Sequence, residues 1–391
     1  LANIDPQENA LSKEQSDDWN PREASVLKDQ RRAYDDMRER CPVAHSEFMG
    51  WSLFRHDDIV TVLADPETYS NMSPFLAIPN GMDPPDHGRY REALDPNFDD
   101  KEMARVEPIA RDVAAVLLEP AVHGGEMEFI ETFATPFALK TMCSLLGWPA
   151  QQWECLVGWV HGSQQAAFNQ DSVAGKALAN LFSEHVKANL DKRRASPSNA
   201  HDATNTLLGS EVGGVRLDDD QIVAILRNWT AGHGTVAAGL GILVQHLAQD
   251  SALQDQLRRN PSLIPAALEE ILRADGPLVA NPRTTTRAVE IQGISIPKGE
   301  HVTLMWLAAN RDSRTFDEPT TVKIERNTSD SLVWGQGIHL CQGAPLARLE
   351  MRVAVEELLA RTKRFEIVGN ELPCRAVYPG NGLETLHLRF C

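Results

Sequence analysis

Residues 334–343 read Trp-Gly-Gln-Gly-Ile-His-Leu-Cys-Gln-Gly, and a helical pattern follows at once, from Ala344 to about Arg361. Three glycines within nine residues allow a tight loop whose backbone can approach a flat partner closely. The helix behind it turns its first amides and positive dipole end towards Cys341, which favours the thiolate. Any fold for this chain must therefore hold one cysteine on a sheltered shelf at the start of a long helix.

An isolated cysteine in a glycine-rich turn is ordinarily a buried structural residue. Here the offsets are more particular. Three glycines, a histidine and a cysteine in these places arise on the order of once in ten million start sites at ordinary composition. A soft thiolate in a sheltered loop suits iron, and a thiolate-ligated haem suits O–O bond cleavage. The run resembles the haem-binding loop of the cytochromes P-450, FxxGxxxCxG, with Trp334 in place of the usual phenylalanine. The resemblance implies that Cys341 is the iron ligand of haem b, with Trp334, Gly335, His339 and Gly343 forming the loop around it.

A second stretch is a proline-free helical pattern from Asp218 to about Gln249, with an aspartate-rich start suited to capping. Its middle reads Ala231-Gly232-His233-Gly234-Thr235. Each interior glycine costs about 1 kcal/mol relative to alanine, so the pair calls for a reason, either a planar group lying close or a helix bent by packing. The window resembles the family's oxygen-activation motif, (A/G)Gx(D/E)T, matched at Ala231, Gly232 and Thr235 but with Gly234 at the acidic position. By resemblance, Thr235 hydrogen-bonds the activated oxygen and Gly234 marks a lost proton donor. His233 lies about 200° around the helix from Thr235 and is expected to point away. A water chain, a carboxylate from another loop, or hydrogen peroxide as oxidant would then replace the missing acid. Aspartate restored at 234 is expected to be tolerated by the helix.

Glu270 and Arg273 share a helix face at i and i+3. They match the family's ExxR element, and Arg326 matches the third member of that scaffold network. The segment Asp83–Arg91 resembles DPPxHxxxR, placing His87 and Arg91 on one face to meet a haem propionate. Arg283 matches a further propionate arginine, whereas Ser331 stands where a histidine is common. Phe75, Ile78, Asn228, Leu278 and Val279 are candidate substrate contacts, each equally readable as core.

The pattern as a whole is mainly α with small β-sheets. Val289–Ile291 and Ile294–Ile296 flank a Gln-Gly turn, a further strand is expected over Val302 to Trp306, and a hairpin over Arg375 to Phe390. No linker divides the 391 residues, and the resemblance implies one P-450 haem domain with a polar extension at residues 1–20. Net charge is −17, from 38 basic and 55 acidic residues, which disfavours nucleic acid as a partner. Six scattered cysteines without CxxC spacing suit a reducing cytoplasm. No signal-like or membrane-spanning apolar run is present, so a soluble bacterial protein is expected.

The resemblance implies a monooxygenase that inserts one atom of O2 into a small to mid-sized apolar substrate, aromatic or terpenoid, by hydroxylation or oxidative O-demethylation. Electrons would come from a ferredoxin and its reductase, docking on a basic face made by Arg348, Arg352, Arg361, Lys363 and Arg364. A peroxygenase, a haem-thiolate sensor, and an isomerase or dehydratase on the same scaffold are the alternatives. The retained Thr235 argues against the last two.

Overall fold

The computed structural model describes residues 18–123, 125–197, 200–369, 375–376, 378 and 380–391. The expected polar extension therefore lies almost wholly outside the described residues.

The long helix spans Asp219–Gln249. A reciprocal cap starts it: Gln221 N donates to Asp218 Oδ1 at 2.8 Å, and Asp218 N donates to Gln221 Oε1 at 2.9 Å. At about 1.5 Å per residue it crosses the molecule. Apolar residues on most of its circumference are buried, because other helices pack around it. Those neighbours, with Asp100–Val122 packed behind them, include Thr135–Leu146, Trp153–Phe168, Ser172–Ala195, Ile264–Ala274 and Ala344–Arg361. Their shared side chains form the largest hydrophobic cluster. The last of these helices has the bounds that the sequence pattern gave it.

The main sheet has five strands in the order Val43–Ser46, Gly50–Leu53, His301–Leu304, Asn281–Thr285 and Tyr69–Ser70. Val302 sits opposite Trp51 in a parallel pair and opposite Arg283 in an antiparallel one. That register fixes Arg283 at the edge of the helical body. The expected hairpin Val289–Ile296 forms around Gln292 and Gly293, both at positive φ.

Two strand expectations fail. The strand from Val302 stops at Leu304, and Trp306–Ala309 is helical. The C-terminal stretch is not one hairpin. Among the described residues, Arg375 and Leu383 form an isolated bridge and Ala376 N donates to Gly382 O at 2.9 Å, whereas His387–Phe390 pairs with Phe365–Ile367 and Gly125–Glu128. A local turn signal cannot announce strands brought in from elsewhere in the chain. Among the described residues, no helix is long and apolar enough to cross a membrane.

Candidate active site

The cysteine loop lies at one wall of a cavity of about 460 Å3, with the long helix forming another wall. Gly335 and Gly337 take φ of 71° and 72°, the left-handed region that glycine tolerates. A Cβ at Gly337 would stand 2.9 Å from the Leu63 carbonyl, so side chains are excluded there twice over. Cys341 N donates to Trp334 O at 2.8 Å, which closes the loop.

The Cys341 thiol faces the cavity rather than bulk water. Burial raises its pKa, opposed by the amides of Gly343 and Ala344 that point at the sulfur and by Arg91 and Arg348. The helix start thus favours the thiolate, but on its own it does not overcome desolvation. A bound cation would complete the ionisation. Trp334 is fixed outside the loop: its Nε1 donates to Glu269 at 3.0 Å, and the Arg348 guanidinium lies 4.7 Å over the ring.

Across the cavity, Asn228, Ala231, Gly232 and Thr235 line the long-helix wall. At Gly232 a Cβ would meet nothing within 4 Å. Gly234 is different. A Cβ there would lie 2.9 Å from both Val160 Cγ1 and Gln164 Nε2. Gly234 therefore packs against the neighbouring helix and is not a cavity residue, so an acidic side chain would project into Val160 instead of towards Thr235. The expectation that aspartate fits at 234 is corrected on this ground.

His233 points away from Thr235. Its Nδ1 lies 2.8 Å from Trp229 O and its Nε2 3.6 Å from Glu350 Oε1 on the cysteine-loop helix. Both residues are buried and both border the cavity. Burial pushes the Glu350 carboxyl up, only partly countered by His233. Burial pushes the imidazole down, but the carboxylate beside it wins and raises it. Among the described residues, Glu350 is the only carboxylate that lines the cavity.

On the sheet side, Arg283 is buried and, among the described residues, donates to the Pro282 carbonyl alone, at 2.8 Å. Burial lowers its pKa to about 10, with Asp83 acting against that. His339 lines the same end, its buried Nε2 without a partner among the described residues. Its ring lies 4.3 Å from that of His87. Burial, then His87 and Arg283, push the His339 pKa down to about 3. Arg91 spans the loop, donating to Leu340 O at 2.7 Å and to Asp95 at 2.9 Å. His87 and Arg91 stand behind His339 and Leu340, outside the cavity lining. The Ser331 hydroxyl accepts from Val333 N at 3.4 Å.

Glu270, Arg273 and Arg326 meet behind the loop. Arg273 grips Glu270 at 2.7 and 2.9 Å, and Arg326 Nε donates to Glu270 Oε1 at 2.8 Å.

Three of the five substrate candidates lie elsewhere. Ile78 is buried in the main core, and its carbonyl accepts from Asn228. Val279 is buried in a separate cluster with Met305 and Leu307. Phe75 is 66% exposed on the outer surface. Only Asn228 and Leu278 line the cavity. Conversely, Trp229, Asn281, Gln342 and Glu350 line it without having been singled out. No local signal marks Glu350, whose partner His233 is far away in sequence.

The wall suits a flat, anionic, iron-bearing group. Gly232 leaves open the space that a Cβ would fill, a sulfur with two amide donors faces that space, and Arg283 and His339 present unpartnered donors at one end. The matching family model is that of the cytochromes P-450, over residues 148–368. The erythromycin C-12 hydroxylase of Saccharopolyspora erythraea is 34% identical over 352 residues, covering 85% of this chain and 86% of that one. The cyclomarin C epoxidase CymV of Salinispora arenicola is 32% identical, covering 85% and 89%. The solved structure of a mutant of P-450 EryK with erythromycin B superposes with a TM-score of 0.85 at 31% identity, covering 92% of this chain and 96% of that one. The cysteine shelf, the open wall at Gly232 and these relatives agree: the chain belongs to the cytochrome P-450 family, a monooxygenase built around haem b.

Proposed function

We propose that this enzyme hydroxylates, or oxidatively O-demethylates, a small to mid-sized substrate with an apolar body, using electrons from a ferredoxin and its reductase. Residues 1–391 act as one haem domain. The observation that carries the reading is the pairing of the Cys341 sulfur with the Gly232–Thr235 wall across one cavity. Haem, when bound, supplies O2 binding and the one-electron chemistry that inserts one oxygen atom.

The chain supplies the rest. Cys341 would ligate the iron, its sulfur held by the amides of Gly343 and Ala344. Arg283 and His339 would meet the propionates, with His87 and Arg91 supporting His339 and Leu340 from behind. Ala231 and Gly232 would leave room for the macrocycle. The Thr235 hydroxyl would hold the proton-delivering water. With no acid at 234, protons reach that hydroxyl from Glu350 and His233, whose buried, under-satisfied oxygens and imidazole border the same space. Asn228 and Leu278 contact the substrate.

The test begins with binding spectra over a panel of small aromatics and terpenes. NADH-driven turnover of those that bind then follows under isotopically heavy O2. One heavy atom is expected in a hydroxylated product, whereas O-demethylation is scored by formaldehyde released, because that aldehyde exchanges its oxygen with water. A hydroxylated product free of the label, or turnover of no probe by either route, would overturn the reading. Reduced wild type should show the family's carbon monoxide band and Cys341→Ala should lack it, whereas normal turnover by that variant would remove Cys341 as ligand.

A further inference from the structure

Two arginines beside the cavity lack a carboxylate partner among the described residues. One is Arg283, accounted for by the propionates. The other is Arg227 on the long helix, just outside the cavity lining, adjacent in sequence to the cavity residue Asn228 and one turn before Ala231. Its Nη2 donates to the Leu76 carbonyl, and its guanidinium lies 5.8 Å over the Phe75 ring. Burial lowers its pKa with no neighbouring charge acting on it.

A half-buried cation without an anion is costly. Among the described residues its one hydrogen bond holds the segment around Leu76, which needs one donor, and a neutral donor already does that job beside it: Asn228 Nδ2 donates to Ile78 O at 2.9 Å. The guanidinium has five N–H groups in a fork that matches a carboxylate, and most remain unused. The chain's net charge of −17 repels anions in general, so an acidic substrate would need a local cation at its site. Phe75, Leu76 and Met72, exposed at 66%, 45% and 59%, offer an apolar surface beside that cation.

We propose that Arg227 receives a carboxylate of the substrate, so that the preferred substrates are acids with an apolar body oriented by that anchor towards the Thr235 wall. This rests on the oxygenase reading for the chemistry but not for the binding.

Dodecanoic acid and 4-butylbenzoic acid, each beside its methyl ester and primary amide, are titrated into the ferric holoenzyme, with equilibrium dialysis as a readout independent of the haem. A charge-assisted pair predicts acids binding roughly tenfold to hundredfold more tightly than their esters and amides. Arg227→Gln is expected to erase that ratio while ester affinity stays within about twofold; Arg227→Lys, which keeps the charge, retains part of it. Acid-to-ester ratios near one in the wild type overturn the proposal whether or not the variants fold. So does an equal loss of acid and ester affinity in Arg227→Gln, the sign of a mere loop clamp. Preferred binding of acids with no oxidation of any probe would leave the Arg227 site standing and count against the oxygenase reading instead.

Discussion

Position 234 gives a prediction whose sign depends on packing. In an open helix, Gly→Ala stabilises by about 1 kcal/mol through propensity. Here a Cβ at 234 would lie 2.9 Å from Val160 Cγ1 and from Gln164 Nε2, where ordinary contact begins near 3.4 Å. Gln164 can swing its amide aside. Val160 cannot: its χ1 is confined in a helix, and it is 4% exposed. Overpacking of this kind costs about 1–3 kcal/mol. Set against the propensity gain, Gly234→Ala should leave the protein up to about 2 kcal/mol less stable. In a Val160→Ala background the clash is gone, and the same change should be stabilising by about 1 kcal/mol. The four proteins form a double-mutant cycle, with an interaction energy of about 1–3 kcal/mol expected. Urea denaturation of the haem-loaded proteins, followed by far-UV circular dichroism, gives the four midpoints. A Gly234→Ala midpoint above wild type, unchanged in effect by Val160→Ala, would refute the packing argument and reopen position 234 to an acid.

Three further outcomes are expected. Glu350→Gln should slow O2-driven turnover by about 10²-fold or more, as for loss of a general acid, and should spare the peroxide-driven reaction, as should Thr235→Ala; equal losses in both would remove the proposed proton route. Asp275 is buried among Arg31, His246 and Arg375; burial pushes its carboxyl up, but those partners hold it well below the usual range. A depressed carboxylate contributes stability that is present above about pH 4 and is lost as pH falls through the folded value. Asp275→Asn should therefore cost about 3–5 kcal/mol at pH 7, nearly as much at about pH 4, and progressively less as the pH falls below that; a cost that does not shrink in stronger acid would contradict it. At the expected ferredoxin face, Arg348, Arg352, Arg361 and Arg364 are engaged by Glu269, Glu107 with Glu356, Glu357 and Asp255. Lys363→Glu should slow ferredoxin-driven reduction several-fold at low salt without loss of stability, whereas Arg352→Glu should lower stability first; unchanged reduction in Lys363→Glu would move the docking surface elsewhere.

Those ion pairs mark where sequence stops being informative. A helix start such as Asp218, the Gln292-Gly293 turn and the loop into Ala344 are written in neighbouring residues, because caps and turns are satisfied within a few positions. The same holds for Glu270 with Arg273, three apart. Arg352 with Glu107, or Glu350 with His233, joins residues more than a hundred positions apart, and no local pattern distinguishes them from solvated charges. Ile78 and Val279 were misplaced for a related reason. An apolar residue near a cavity in sequence can turn into the core, and only the packed neighbours decide which.

The two glycines of the long helix show how far the signal reached. Gly232 and Gly234 lie about 200° apart around the helix, so if one faces the cavity the other faces away. Thr235, about 60° from Gly232, goes with the cavity. That much follows from periodicity, and applied to the motif it already argues that position 234 is not a place from which a side chain reaches the reaction directly. What periodicity cannot supply is the neighbour. Gly232 is glycine with open space at its side, and Gly234 is glycine with Val160 against it. The first is explained by something flat that fills the space, the second by a helix already there. The absence of an acid at 234 accords with close helix packing at that point, and on the proposed route the proton comes instead from Glu350 and His233, which border the same cavity as Thr235.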